Sequence, residues 1–140
     1  MATVANSIAQ YIATDLGQGT LGTDVFVDAM PDASDGSIDT CVAVYSLPGQ
    51  PPELAVGAGQ TTTDRPGFMV ACRALDPATA VANELAIYQA LHGQAAVTIH
   101  GTYFILIASA QSGPTPLGRD ARQRNVYTRS FRTMVRGLAR

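Results

Sequence analysis

The sequence predicts an α/β (α+β) protein: two amphipathic helices packed on a mostly antiparallel sheet of five to six strands. Three observations carry that expectation. Apolar residues recur at helical spacing in residues 3–16 and again in residues 77–91. Short runs rich in Val, Ile, Tyr, Phe and Thr recur between and after them. His100-Gly101 sits between two such runs as a two-residue hairpin connection, with glycine available for the positive φ such turns require. At 140 residues the chain suits one domain spanning 1–140, long enough to bury a real core.

The first helix is expected over residues 3–16. Val4, Ile8, Tyr11, Ile12 and Leu16 make one apolar stripe, with Thr3 as N-cap and Gly17 where a left-handed C-terminal residue belongs. Gly17, Gly19 and Gly22 then spell G-x-G-x-x-G, with Asp39 downstream. A dinucleotide fingerprint must leave a strand and open a helix, so that the helix N-terminus faces the pyrophosphate. Here the order is inverted, and no cofactor is expected.

Residues 24–30 read as a strand with Val25 and Val27 on one face, and residues 31–36 as a polar turn. Asp32, Asp35 and Asp39 do not follow the D-x-[DN]-x-[DN]-G order of a calcium loop, so no metal is expected. Residues 40–47 form a nearly continuous apolar strand. Residues 48–63, rich in Pro, Gly and Thr, read as a long irregular loop or arm that contacts a neighbour. A third strand covers residues 66–75, with Phe68, Val70, Cys72 and Ala74 on one face and Met69, Ala71, Arg73 and Leu75 on the other. Arg73 reads as an edge or interface residue.

Asp76-Pro77 opens the second helix with an N-cap and a first-turn proline; Val81, Leu85, Tyr88 and Leu91 are its expected buried stripe, and Gly93 ends it. The hairpin about His100-Gly101 follows, then a loop over residues 111–118, then a last strand over residues 126–135. Tyr127, Phe131 and Val135 share one strand face there, interrupted by Arg129 and Thr133. His92 and His100 have no obvious partner in sequence. Cys41 and Cys72 read as two buried thiols.

Charge is the sharper signal. The formal net charge of -2 conceals two poles: residues 1–64 hold eight acids and no base, and residues 119–140 hold seven arginines and one acid. Such a split suits pairing with a copy of the same chain or another subunit, or a passage for nucleic acid. There is no lysine, hence no Schiff-base or P-loop lysine. No G-x-S-x-G elbow or H-E-x-x-H is present, and no catalytic residue is assigned. No apolar run approaches the ~20 residues of a membrane-spanning helix. The N-terminus lacks the positive charge and apolar core of a signal peptide. The subunit-interface or channel candidates are Arg73, Arg119, Arg122, Arg124, Arg129, Arg132 and Arg136. Reversing charge at Arg129 and Arg132 together is expected to disrupt assembly or tail joining while leaving the fold intact. The competing reading, a non-specific nucleic-acid-binding domain, uses six of these arginines (all but Arg73) for phosphate and Tyr127 and Phe131 for stacking on bases.

Four pieces in order carry a resemblance: Ala86-Ile87-Tyr88-Gln89-Ala90-Leu91; Ile99-His100-Gly101-Thr102-Tyr103-Phe104; Gly113-Pro114-Thr115-Pro116-Leu117-Gly118-Arg119-Asp120; and Arg124-Asn125-Val126-Tyr127-Thr128-Arg129-Ser130-Phe131. Over roughly residues 64–136 the chain resembles the tail terminator or tail completion proteins of long-tailed phages, often labelled minor capsid proteins and found also in gene transfer agents. The resemblance implies a structural protein of the phage neck, an α/β subunit that forms a ring, by that resemblance a hexamer, on the tail tube. Its implied partners are copies of itself, the major tail tube protein and the head-side connector or stopper. DNA enters only as cargo in the channel, and no cofactor, membrane or catalysis is implied. The implied location is the virion, after assembly in the host cytoplasm. A head-completion or connector protein of the same neck is the nearest alternative.

Overall fold

The computed structural model describes residues 3–30, 39–54, 62–120 and 122–136. The turn expected at residues 31–36, the tip of the 48–63 stretch and Arg140 lie outside these. Helix α1 (Val4–Gln10) starts where expected, with Thr3 Oγ1 accepting a hydrogen bond from the Asn6 amide at 3.1 Å. The expected single helix over residues 3–16 instead widens into a π-helical turn, Tyr11–Asp15, in which the Leu16 amide reaches the Tyr11 carbonyl. Gly17 ends it at φ +67°.

Strand β1 (Val25–Val27) is shorter than the expected 24–30 and pairs in parallel with β2 (Cys41–Leu54). It stops because Asp28 turns to φ +57° and its carboxylate accepts the Ser46 amide at 2.7 Å. The glycine-rich turn before β1 links a helix to a strand. A Cβ on Gly19 would lie within 3 Å of the Asp24 carboxylate, which itself accepts the Thr20 amide. That close approach accounts for the glycine.

Strands β2 and β3 (Thr62–Ala74) pair antiparallel from Cys41↔Arg73 to Leu54↔Thr62, with register shifts after Leu47 and Gln50. Regular pairing therefore continues into the stretch read as irregular; the flanks of the supposed loop are the outer part of a hairpin. Helix α2 (Pro77–Leu91) begins at Asp76, whose carboxylate accepts the Ala78 amide at 3.0 Å. Strands β4 (Ala95–Ile99) and β5 (Thr102–Ser109) form the expected hairpin, with His100 at φ +44° and Gly101 at φ +89° in its turn. The loop expected over residues 111–118 contains a further strand, β6 (Thr115–Arg119). The last described strand is β7 (Asn125–Arg136).

The sheet order is β1-β2-β3-β7-β5-β4, with β6 also on β7. That makes seven strands among the described residues rather than the five or six expected, curled and antiparallel except at β1. The last strand is central: β3 lies along one edge of it, while β5 takes its Phe131–Val135 half and β6 its Asn125–Thr128 half on the other edge.

Paired residues of neighbouring strands point to the same side, so the register sorts the sheet into two faces. Val42, Val44, Phe68, Val70, Cys72, Phe104, Ile107, Phe131 and Val135 point to one side and form a single core with Val4, Ile8 and Ile12 of the first helix and Ile87 and Leu91 of α2. Phe68 and Phe131 stack across β3 and β7, with centroids 4.9 Å apart. The expected buried stripe of α2 is corrected. Leu85 is exposed and Val81 only half-buried; the residues facing inward are Ala80, Glu84, Ile87 and Leu91. Outward, α2 shows Ala82, Leu85, Ala86 and Gln89, so it is not cleanly amphipathic. The rotation follows from Glu84, which the core holds through an arginine described below. No helix among the described residues is long and apolar enough to cross a membrane.

Candidate subunit interface

Seven arginines are at issue, and the fold divides them. Arg129 points into the helix side of the sheet, on the same row as Phe131 and Val135. Its guanidinium forms a salt bridge with Glu84 of α2 through Nε and Nη2, and Nη1 donates to Ser109 Oγ and the Gln111 carbonyl, each at 3.2 Å. The Tyr88 ring lies 4.0 Å from the guanidinium carbon and stacks in turn on His92, whose Nδ1 accepts the Ser109 amide at 2.9 Å. Both members of the pair are almost fully buried. Two charges can be kept out of water only where their remaining donors and acceptors are also met, as they are here.

The network extends to Gln111. Its Oε1 accepts the Ser130 amide at 3.1 Å and its Nε2 donates to Thr115 Oγ1 at 2.9 Å, which ties the start of β6 to β7 where β5 leaves off. The expectation that reversing Arg129 spares the fold is therefore wrong: an acid at 129 would bring two carboxylates together beneath α2.

Arg124 is also buried. Its Nε donates to Asp120 Oδ2 at 2.7 Å, and Nη1 lies 3.7 Å from Asp39. Asp120 Oδ1 also accepts the Arg122 and Arg124 amides, closing the turn between β6 and β7. Partial desolvation raises the Asp120 pKa, but these hydrogen bonds and the Arg124 charge outweigh it and hold the carboxyl below its ordinary value. Arg73 is buried on the opposite sheet face from Arg129, level with Cys41 in β2 and Val126 in β7. Burial raises the Cys41 thiol pKa, and the charges of Arg73 and Arg124 oppose it. Cys72 is pushed up further, by burial first and then by the Glu84 charge. Both cysteines are free; they sit on adjacent strands but point to opposite faces, so they do not face each other across the ladder.

Arg119, Arg122, Arg132 and Arg136 remain at the surface. Arg119 ends β6 and Arg122 lies in the β6–β7 turn. Arg132 and Arg136 lie on the sheet face away from the core, where the Arg136 guanidinium stands 5.2 Å from the Tyr103 ring centroid. On this face a groove of about 560 Å³ is lined by Leu47, Arg65, Leu106, Ala108, Arg132 and Met134, among others. Phe131 is committed to the core beside Phe68, which removes one of the two rings proposed to stack on bases. No cluster of three or more His, Cys, Asp or Glu among the described residues is arranged to hold a metal. The histidines do have partners, which their sequence neighbours do not reveal: His92 as above, and His100, whose Nε2 lies 3.5 Å from Asp15.

Fold and surface together define an α+β protein with one sheet face closed over a core and the other buried about Arg73, Ala43 and Ala71 but open where Arg132 and Arg136 stand. The chain belongs to the bacteriophage tail terminator protein family, whose model matches residues 14–135, and is a phage structural tail protein. Among solved structures it is similar to a chain of the "Virion of native gene transfer agent (GTA) particle", with a TM-score of 0.53 and 21% identity, covering 83% of this chain and 81% of that one. At that identity the likeness is one of fold. No curated protein matches the chain.

Proposed function

We propose that this subunit assembles with copies of itself into a ring, hexameric as the family resemblance implies, that caps the tail tube and joins it to the head-side connector. The ring leaves a central channel for DNA and carries out no catalysis. The family match over residues 14–135 carries this reading. The division of the arginines supports it: three are held inside the subunit, and four stand on the surface, where they can meet acidic neighbours or passing phosphate without reading sequence. A ring needs two different complementary surfaces on each subunit, and the acid-rich first half and the open basic face are different surfaces. The virion is the proposed location, with assembly in the host cytoplasm.

The deciding experiment deletes the gene and images the particles. Unjoined heads together with tail tubes of unregulated length are expected, and complementation restores joined particles. Normal joined particles from the deletion strain would overturn the proposal.

A further inference from the structure

The groove on the open sheet face has a definite chemistry. Its lining is apolar through Leu47, Leu106, Ala108 and Met134, the exposed guanidinium of Arg132 stands at its wall, and no carboxylate is among the described residues that line it. Leu106 is 42% exposed there although it is a large apolar residue in the middle of a strand. An occupant matching this surface must bring an apolar side chain set among negative charges.

One described segment of the same chain has that character. The turn between the π-helical segment and β1 exposes Leu21, 40% accessible; Asp24 closes it, Asp15 precedes it facing His100, Asp28 lies beyond β1, and residues 1–64 hold no base. Asp24 fixes the turn by accepting the Thr20 amide at 2.6 Å, and Asp28 is fixed by the Ser46 amide, so the leucine and the carboxylates are presented in a set arrangement. The turn follows the π-helical segment, with Leu21 bridged to Val25 of the edge strand β1, whereas the groove is lined from β2, β3, β5 and β7; two such different surfaces meeting between copies make a head-to-tail contact.

We propose that the acidic, Leu21-bearing turn of one copy docks in the groove of the next, with Leu21 against Leu106 and Met134 and the carboxylates toward Arg132. This rests on the ring reading above and names its contact. Opposite charges at the edge of such a contact fix its register and direction as well as its strength.

The test uses the full chain at several concentrations, with size measured by light scattering. Arg132→Glu and Leu21→Lys are each expected to weaken self-association at least tenfold with unchanged circular dichroism. Mixing the two variants is expected to restore one productive contact and hence heterodimers. In a Leu21→Cys, Met134→Cys double variant, oxidation is expected to give a ladder of disulfide-linked species that neither single variant gives. Wild-type assembly with unaffected variants and no ladder would overturn this contact while leaving the ring reading intact. A wild-type chain that stays monomeric at every concentration, with no ladder, would overturn both. If Arg132→Glu instead weakens binding of a duplex DNA probe and leaves association unchanged, the groove takes phosphate and the proposal falls.

Discussion

Arg129 and Arg132 lie three residues apart on β7, have the same chemistry and end in opposite situations. Arg129 is beneath α2, its guanidinium shared among Glu84, Ser109, the Gln111 carbonyl and the Tyr88 ring. Arg132 is on the open face, exposed at the wall of a groove. Strand parity alone makes the difference, since an odd step along a strand moves a side chain to the other face. A cluster of arginines in sequence is thus not a cluster in space. Part of the basic end of this chain neutralises acids of its own subunit, Glu84 and Asp39 among them, before any partner is considered.

The largest effect that would test this contrast is at Arg129. Arg129→Ala leaves the Glu84 carboxylate buried and uncompensated and is expected to cost ~3–5 kcal/mol in urea unfolding, whereas the pair replacement Glu84→Leu with Arg129→Met recovers most of it. A loss no larger than a surface ion pair's, under ~1 kcal/mol, would erase the distinction between the faces. Next, Phe131→Leu keeps an apolar side chain on the core row but removes the stack on Phe68; a loss of about 0.5–1.5 kcal/mol beyond the change in buried area is expected from the same measurement.

Asp120→Asn probes the turn that holds Arg124. Because the folded carboxyl titrates below its ordinary value of 3.8, its contribution is complete at neutral pH. It is lost as pH falls from that value through the lower folded one. The variant is expected to be less stable at pH 7 and to show a shallower decline in acid; an unchanged acid limb would contradict the assignment. The smallest effect is at Arg132, where Ala is expected to change stability by no more than ~0.5 kcal/mol, as for a surface site.

Much of the fold was legible because local chemistry decides it. Thr3, Gly17, Asp76-Pro77 and His100-Gly101 each act within a few residues of themselves, and each lies where it was expected. The inward stripe of α2 was not legible from periodicity, because an apolar scan passes over Glu84, whose partner is 45 residues away. A signal was nevertheless present: a lone acid in an otherwise uncharged helix, and a lone arginine on the row of Phe131 and Val135. Strand β6 was hidden because a short, fully exposed strand holding Pro116 and Gly118 has the composition of a loop. The groove was invisible for a different reason. Leu47, Leu106 and Met134 come together only through the register of four strands, and no local pattern encodes that register.

The placement of β7 also governs when the subunit can exist during synthesis. The β2–β3 hairpin and the β4–β5 hairpin do not pair with each other; the last strand is the one between them. A nascent chain that has not yet released residues 125–136 from the ribosome has two separate ribbons with open edges and no joined sheet. Its central contacts, such as Phe68 with Phe131, span more than half the remaining chain and must close last, a topology that folds slowly. Any truncation before β7 is therefore expected to leave aggregation-prone halves rather than a smaller subunit.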